Sequence, residues 1–336
     1  PLNRNKRSIT VDMKQEEGRE VIRRLVKTSD VLVHNFRQGV MEKLGFGYED
    51  LKKINPALIY ATSNGWGDTG PYAERKRAGH DMMARAEAGW FLFPDAGKPP
   101  IPGGISIDYP AGLNLMIGIL TALVNRLRTG EGQYVSTDLL SVAFHAHAWD
   151  AAARLNKEKI DRPAAVGGTE AAINKAFRTF DGFIEISPVF SDNALRDIST
   201  ALGIGDLSQK TEFRTEELQI VNKAHLNHLL AQEFVKKTTD AWMVELEREG
   251  VLCARINTFE EAARDPQIAC NQMIVSMNDP DVGELKMLGT PMRLKGTPPV
   301  MKSFPPRLGQ NNRDVALEIG YSESDVARMT ETGGVG

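Results

Sequence analysis

Short apolar strands alternate with helical segments through the first 140 residues, and this order limits the possible folds more than any other feature of the sequence. Strand-like runs lie at 31–33, 57–63 and 134–140, and apolar residues recur at helical spacing between them. Strands separated by helices favour a mainly parallel sheet covered by helices, the α/β class. Ligands of such sheets bind in the loops that follow the strands. We therefore expect a site at residues 34–39 and 63–72.

A carboxylate stands beside the most apolar helical segment of the chain. Proline is favoured at the first helical position, so Pro110 is predicted to open this helix and Asp108 to lie just before its first turn. Apolar residues on both sides of the segment predict a helix that is buried nearly all round. The positive end of a helix favours negative charge, and a rigid helix would hold the carboxylate in one direction. Asp108 is therefore either a helix-capping residue or a nucleophile.

The second half of the chain has a different pattern. A hairpin is predicted over 177–186 around the turn Asp181–Gly182, and helices rich in Leu, Lys and Glu follow it. Composition changes on either side of this region, and 336 residues are enough for two domains. We predict a large domain at 1–155, a small domain at 176–268, and a tail at 276–336 that returns to the large domain.

Composition excludes several classes of function. A formal net charge of −3 gives no electrostatic footprint for nucleic acid or for an anionic membrane. Cys253 and Cys270 are the only cysteines, so no disulfide framework is implied and a reducing, cytoplasmic location is expected. The longest apolar run, 113–124, is too short to span a bilayer. The histidines form no ligand set, so no metal is expected, and no glycine-rich nucleotide loop follows a strand.

Basic residues form two local clusters in this nearly neutral chain. Arg4, Lys6, Arg7 and Lys14 surround the strand-like run at 8–14, and Arg75, Lys76 and Arg77 precede a helix start. Cations at the ends of α/β strands suit a small polyanion that carries phosphates. The alternative is a solvated basic surface.

Several motifs, in order along the chain, resemble those of one family. Residues 3–14, Asn-Arg-Asn-Lys-Arg-Ser-Ile-Thr-Val-Asp-Met-Lys, are similar to the opening motif of the class III coenzyme A transferases. This family of formyl-CoA and carnitine-CoA transferases also includes α-methylacyl-CoA racemases. Residues 30–45, 55–60, 65–72 and 108–133 resemble further motifs, the last of which ends in Arg-Thr-Gly-Glu-Gly-Gln. The resemblance covers nearly the whole chain.

The resemblance implies a role for particular residues. Asp108 matches the catalytic aspartate of the family. The residues implied to line the CoA nucleotide pocket are Val11, Lys14, Asn35, Phe36 and Lys43, and the second basic cluster adds Arg77. Coenzyme A would be a co-substrate, with no tightly bound cofactor. The implied architecture is a Rossmann-like large domain with a smaller α+β domain, assembled as an interlocked homodimer.

The implied reaction moves coenzyme A between an acyl-CoA and a free carboxylic acid. Asp108 would form an anhydride with the donor acyl group and then an aspartyl-CoA thioester. Backbone N–H groups of a glycine-containing loop would stabilise the oxyanions, and Gly167–Gly168 is a candidate for part of that loop.

Two alternatives stay open. In the racemase branch, a histidine at the position of His80 and the aspartate at the position of Asp108 form a two-base pair. That branch also has a small-domain glutamate, whose nearest counterpart here is Ser191 or Asp192, so transfer is favoured. The family's first βαβ segment would precede Pro1, and its Gly-Glu-His-Thr tail motif is replaced by residues 309–312. These departures keep a non-catalytic CoA-binding subunit as the third interpretation.

Overall fold

The computed structural model describes residues 2–94, 98–104, 106–148, 151, 155–156, 172–187, 190–279 and 282–335. The chain forms two compact units. The large unit contains 2–166 and 302–336, and the small unit contains Gly167–Met301. The tail was predicted to return to the large domain from residue 276. It joins the large unit from Lys302, and the strands at 274–279 and 283–288 pair with each other in the small unit.

The N-terminal part of the large unit alternates strands and helices. Its elements are α1 (Glu16–Thr28), β1 (Val31–His34), α2 (Val40–Lys43), α3 (Tyr48–Ile54), β2 (Ile59–Asn64), α4 (Pro71–Glu74), α5 (Asp81–Glu87), β3 (Phe91–Leu92), β4 (Ile101–Pro102), α6 (Asp108–Thr129), β5 (Tyr134–Asp138) and α7 (Leu139–His145).

Within the described residues, β1, β2 and β5 form a parallel three-stranded sheet in the order β1-β2-β5. Val31 pairs with Ile59, and Tyr60 pairs with Tyr134. Helices lie between the strands in sequence, as parallel connections require. The predicted α/β class is confirmed, and all three strands end at the same edge of the sheet.

The run at 8–14 was predicted to be a strand, and that prediction is wrong. Residues 8–12 belong to no β ladder. Their alternation instead places Ile9 and Val11 against a cluster formed by α1 and the C-terminal tail. The neighbouring backbone N–H groups of Ser8 and Thr10 are satisfied by side chains of the tail.

Helix α6 begins at Asp108, so Pro110 occupies its third position rather than its first. One face, formed by Ala111, Leu115, Ile119 and Ala122, is buried, and the last three of these pack with residues of β2 and β5. The predicted all-round burial is wrong for the single chain, because the opposite apolar face is exposed. The exposed fraction on that face ranges from 49% at Leu113 to 84% at Leu127.

The full extent of α6 also bears on the membrane prediction. At 22 residues, the whole helix is long and apolar enough to cross a membrane by length and composition alone. The membrane prediction concerned the apolar run at 113–124, which is only part of this helix. One face packs against the parallel sheet, which is the environment of a core helix in a globular unit.

The small unit is built around an antiparallel sheet. Its elements are β6 (Ala176–Arg178), β7 (Phe183–Ser187), α8 (Ala194–Leu202), α9 (Glu216–Val221), α10 (Lys223–Phe234), α11 (Thr239–Arg248), β8 (Leu252–Arg255), α12 (Phe259–Ala262), α13 (Pro266–Cys270), β9 (Ile274–Asp279) and β10 (Gly283–Leu288). The predicted hairpin is present, since Arg178 pairs with Phe183 across the turn. The ring of Phe234 contacts both Phe177 and Trp242 in the core of this unit. Gly167–Gly168 lies outside the described residues.

The C-terminal tail packs on α1. It contains α14 (Asn312–Glu318) and α15 (Glu323–Glu331), separated by a turn at Gly320, whose φ is +89°. Ala316 and Met329 share a buried cluster with Val21 of α1. The end of the tail therefore forms two helices that pack on the large unit's first helix.

Candidate active site

Loops at the carboxyl edge of the parallel sheet line a cavity. Asn35 to Gln38 follow β1, Asn64 to Gly67 extend from the end of β2, and Lys76 to Gly79 precede α5. The sequence predicted a site in the first two of these loops. Among the residues implied to bind CoA, the cavity lining includes Asn35, Phe36 and Arg77.

Asn64 and Asp68 hold the second loop in shape. The side-chain oxygen of Asn64 accepts hydrogen bonds from the N–H groups of Trp66 and Gly67 at 3.0 and 2.7 Å. Its amide nitrogen donates to the Asp68 carboxylate at 2.9 Å. The Gln38 side chain donates to the Asp68 carbonyl, so this contact joins the loops after β1 and β2.

His34 fixes the start of the first loop. Its Nδ1 accepts the N–H of Phe36 at 3.3 Å, so the neutral ring carries its proton on Nε2. The described residues offer the buried Nε2 no hydrogen-bond partner, and the ring lies edge-on to Tyr60. Burial lowers the pKa of His34, although the carboxylates of Glu42 and Asp68 oppose that shift. The geometry therefore favours the neutral ring.

Arg77 lines the cavity but is already bound by neighbouring side chains. It forms an ion pair with Glu87 at 2.8 Å. Its guanidinium lies 4.3 Å from the centre of the Trp66 ring and 4.5 Å from that of Tyr72. Arg37 and Lys76 are exposed cations on the same lining. They suit a phosphate-bearing ligand better than Arg77 does, because Arg77 is already paired with Glu87. Arg37 was not among the predicted site residues.

The structure places the other three implied CoA residues elsewhere in the large unit. Val11 packs against the α1 and tail cluster. Lys14 is exposed in the turn before α1, and Lys43 is exposed at the end of α2. Their predicted contact with CoA stays a prediction.

His80 and Asp108 each stand at the start of a helix. His80 is the N-cap of α5, and its Nδ1 accepts the Met82 N–H at 3.3 Å. Asp108 is the first residue of α6, and its side chain is exposed. Backbone N–H groups and the helix dipole favour negative charge at such a position.

Asp81 links these two helix starts. Its Oδ1 accepts the Ile107 N–H and, at 3.0 Å, the Ser106 hydroxyl. The residue after His80 is therefore bonded directly to the residue before Asp108. Burial raises the pKa of Asp81, but the hydrogen bonds from Ile107, Ser106 and Arg85 outweigh burial and hold it below its ordinary value.

Arg85 extends this link on the other side. Its guanidinium donates to the second oxygen of Asp81 at 3.3 Å and to the carbonyls of Gly103 and Gly104. Only 8% of Arg85 is exposed. A buried charge needs a partner, so Asp81 and Arg85 form one unit that ties α5 to the segment leading into Asp108.

Two glycines bring the cavity close to His80. A Cβ on Gly79 would lie 2.7 Å from the indole nitrogen of Trp66, and a Cβ on Gly65 would lie 2.9 Å from the Cα of Gly79. The loop after β2 therefore contacts the residue immediately before His80. The contacts of Gly65 with Gly79 and of Asp81 with Ile107 therefore link the cavity lining to the residues next to His80 and Asp108.

Sequence reasoning missed the roles of Asp81 and Arg85. Their four-residue spacing on a helix is a signal for an ion pair between them. Their hydrogen bonds to the segment before Asp108 join residues that are distant in sequence, so no local pattern indicates them. Among the described residues, no group of three or more His, Cys, Asp or Glu side chains is placed to hold a metal ion.

The whole chain was compared with known proteins. Residues 1–312 match the family model described as CoA-transferase family III. The chain belongs to CoA-transferase family III. It is 35% identical over 336 residues to an acyl-CoA transferase of Fusarium pseudograminearum, a match that covers 99% of this chain and 73% of that protein. Its identity to the succinyl-CoA–D-citramalate CoA-transferase of Chloroflexus aurantiacus is 33%, with coverage of 98% and 82%.

The fold agrees with that of a solved structure of similar sequence. A crystal structure of a CAIB/BAIF family protein from Brucella suis superimposes with a TM-score of 0.81 at 33% identity, covering 94% of this chain and 82% of that chain. The predicted family and the prediction that the chain is a CoA-transferase enzyme are confirmed.

Removing the Asp81 carboxylate is expected to impair CoA transfer. Asp81→Ala should lower kcat about 100-fold, because small displacements of a reacting group have effects of that size. It should also lower the free energy of unfolding by about 3–5 kcal/mol, because Arg85 would lose its buried partner. Asp81→Asn keeps an oxygen acceptor and should therefore lose less kcat and less free energy of unfolding than Asp81→Ala. Steady-state kinetics and denaturant unfolding measure these effects.

Asp50→Asn is the matched control, since Asp50 forms an exposed pair with Lys53 at 3.6 Å. It should change the free energy of unfolding by less than about 1 kcal/mol. Folded Asp81→Ala protein with the kcat of the wild type would contradict a positioning role.

His34 is expected to make the large unit less stable in mild acid. Its folded-state pKa lies below the ordinary value of 6.5. The stability that depends on the neutral ring is therefore present above pH 6.5 and is lost as the pH falls through the folded value. His34→Asn keeps an acceptor for the Phe36 N–H but does not titrate. Thermal unfolding between pH 7.5 and 5 should show a loss of Tm in the wild type that is smaller in the variant. Identical pH profiles would refute this linkage.

Proposed function

We propose that this CoA transferase moves coenzyme A between an acyl-CoA and a free carboxylic acid, with Asp108 as the nucleophile. The observation that carries the proposal is the exposed carboxylate at the start of α6, whose preceding residue, Ile107, is bound by Asp81. A nucleophile needs this combination of access to substrate and a fixed backbone.

Four substitutions at carbonyl carbon complete the proposed cycle. The Asp108 carboxylate attacks the donor thioester, expels the CoA thiolate and forms a mixed anhydride. The thiolate attacks the aspartyl carbonyl and expels the donor carboxylate, which leaves an aspartyl-CoA thioester. The acceptor carboxylate attacks this thioester and expels the thiolate, giving a second anhydride. The thiolate then attacks the acceptor carbonyl, which releases the new acyl-CoA and regenerates Asp108.

We assign the CoA portion of the substrate to the cavity at the sheet edge. Arg37 and Lys76 supply positive charge for its phosphates. Phe36, which is 44% exposed, and Trp66 supply aromatic surface on the same lining. The contact between Gly65 and Gly79 leads from this cavity toward His80. A thioester that extends in this direction would approach the start of α6.

The relative from Chloroflexus aurantiacus is named for succinyl-CoA and D-citramalate. We therefore propose succinyl-CoA as the first donor to test, with short hydroxy acids and dicarboxylic acids as acceptors. Further donors and acids, separated by mass spectrometry, would extend the set.

His80 also supports a second candidate, epimerisation of a 2-methylacyl-CoA. The Asp81 bridge brings the His80 and Asp108 segments together, as a two-base mechanism requires. In that reaction, the pair would exchange the α-proton of the substrate with solvent and leave the thioester bond intact. In CoA transfer, His80 would instead hold the thioester or the acceptor carboxylate.

We further propose that the transferase is a homodimer with a Rossmann-like large domain. The support for the homodimer is the exposed apolar face of α6, which contains Leu113, Met116, Ile117, Leu120, Val124 and Leu127. An apolar face of this length is typical of a protein–protein interface. A second copy packed there would bury the helix nearly all round, as its sequence pattern predicts.

Trapping tests the role of Asp108. Incubation of the wild type with succinyl-CoA and hydroxylamine should convert Asp108 to a hydroxamate, and borohydride should reduce its thioester to an alcohol. Peptide mass spectrometry locates either change. Asp108→Asn should form no adduct and should lose transfer by at least about 10³-fold.

Asp50→Asn should react at Asp108 like the wild type. Uptake of solvent deuterium at the α-carbon of a 2-methylacyl-CoA, without an aspartyl adduct, would favour the epimerase. Bound CoA with neither reaction would overturn both enzyme proposals.

The dimer has its own test. Light scattering after size exclusion should give twice the mass of one chain for the wild type. Leu120→Glu places a charge in the middle of the α6 face and should yield the single-chain mass, because an unpaired buried charge is costly. Lys53→Glu changes an exposed lysine on α3 and should leave the dimer intact. A monomeric wild type would refute the proposal, and so would a dimeric Leu120→Glu variant.

A further inference from the structure

A histidine side chain holds the start of the loop that follows β1. His34 Nδ1 accepts the Phe36 N–H at 3.3 Å, and the two rings stack with 5.9 Å between their centres. Phe36 and Arg37 lie on the cavity lining directly after this bond. The Gln38 side chain, which donates to the Asp68 carbonyl, holds the far side of the loop. The lining residues therefore lie between two side-chain contacts, and His34 provides the first.

Only the neutral ring of His34 can make this contact. Neutral imidazole has one nitrogen that donates and one that accepts, whereas both nitrogens donate in the protonated ring. Turning the ring over would therefore not restore an acceptor for the Phe36 N–H. The hydrogen on Nδ1 would instead face the hydrogen of Phe36, and two donors cannot bond. Protonation of His34 therefore breaks the contact and frees the start of the loop.

The surroundings of the ring favour the neutral form but offer the charged form other partners. Burial lowers the pKa of His34, and the carboxylates of Glu42 and Asp68 oppose this shift. Glu42 belongs to α2, and Asp68 belongs to the loop after β2. Tyr60 of β2, whose ring lies edge-on at 5.2 Å, stays uncharged because burial raises its pKa. A protonated ring would therefore be attracted to two carboxylates instead of bonding to Phe36.

Asp68 connects the same ring to the second cavity loop. Its carboxylate accepts the Asn64 amide at 2.9 Å. Asn64 in turn accepts the N–H groups of Trp66 and Gly67, which lie on the cavity lining. A protonated ring that attracts Asp68 would compete with these contacts. The charge of one histidine therefore bears on both loops.

We propose that His34 is a positioning residue for the cavity, which holds the loop after β1 in place as the neutral ring and releases it on protonation. The inference rests on the proposed function, in which this cavity takes the CoA portion of the substrate. His34 acts through Phe36 and Arg37, its neighbours on the cavity lining. CoA transfer should therefore need more acyl-CoA for half-saturation in mild acid.

CoA binding by the wild type should weaken as the pH falls from 7.5 to 5. The ring is mostly neutral above pH 6.5, the ordinary histidine value, because its folded-state pKa lies below that value. His34→Asn keeps an acceptor for the Phe36 N–H but does not titrate. As the pH falls through the folded value, the Kd for free CoA should rise about tenfold more in the wild type than in His34→Asn, as expected for one lost hydrogen bond.

Calorimetric titration with CoA measures these constants, at a temperature where circular dichroism shows that both proteins are folded at every pH. The phosphates of CoA also change charge at about pH 6. Because the ligand is the same for both proteins, the ratio of the two Kd values removes this effect. The ratio therefore reports the titration of His34.

Two further variants test the cause. His34→Ala has no acceptor at any pH, so its Kd at pH 7.5 should already lie about tenfold above the wild-type value. The ratio of its Kd to that of His34→Asn should not change with pH. His228→Asn is the matched control, because His228 is an exposed histidine of α10 whose ring bonds to Gln232 at 3.0 Å. It should follow the wild-type profile.

Hydrogen exchange measured by NMR reports the loop without any ligand. The protection of the Phe36 N–H, corrected for the intrinsic rate at each pH, should fall about tenfold in acid in the wild type. It should stay constant in His34→Asn. The Tyr60 N–H, which donates to the Gln133 carbonyl at 3.0 Å within the sheet, is the internal reference.

The outcomes separate this inference from the proposed function. If the wild type binds CoA and its Kd keeps a constant ratio to that of His34→Asn at every pH, this inference alone is overturned. Tighter binding by the wild type than by His34→Asn in acid would also overturn it, because the ligand would then favour the protonated ring. A wild type that binds no CoA would overturn the proposed function. Phe36 exchange then decides the role of His34 in the loop, and equal protection in both proteins would overturn that role.

Discussion

The hydrogen bonds of the Asp81 carboxylate join the two helices on which the site depends. Asp81 follows His80 on α5 and accepts the backbone N–H of Ile107, the residue before Asp108. Arg85, buried behind it, binds the other oxygen and two carbonyls of the incoming segment. A charged group with several hydrogen bonds holds a backbone more firmly than neutral contacts do. The start of α6 is therefore fixed from outside the helix, while its own first side chain stays exposed.

The parallel sheet supplies the rest of the site. Because β1 and β2 end at the same edge, the loops after them meet and enclose the cavity. His34 and Asn64 hold these loops through bonds to nearby N–H groups, and the contact of Gly65 with Gly79 joins the cavity to His80. The C-terminal tail binds another part of the large unit, where Asn311 and Asn312 accept the N–H groups of Ser8 and Thr10.

Much of this arrangement could be predicted because its signals are local. Apolar runs identified β1 and β2, the helix start identified Asp108 as a candidate, and the resemblance to the racemase branch added His80. The extended run at 8–14 was misread as a strand, since a period of two does not reveal whether the N–H groups bind a strand or two asparagine side chains. The burial of α6 was misread for a similar reason, because its pattern has two apolar faces and only one packs within the chain.

The sequence by itself determined the α/β class, the family, and two of the loops that line the cavity, because strand order and motif spacing are properties of neighbouring residues. Only the tertiary structure decided which side chains meet. It placed Asp81 between His80 and Asp108, paired Arg77 with Glu87, and gave Arg37 and Lys76 to the cavity. It also gave Asn311 and Asn312 a partner some 300 residues away. Such contacts depend on how the chain folds back on itself, and no periodicity in the sequence records them.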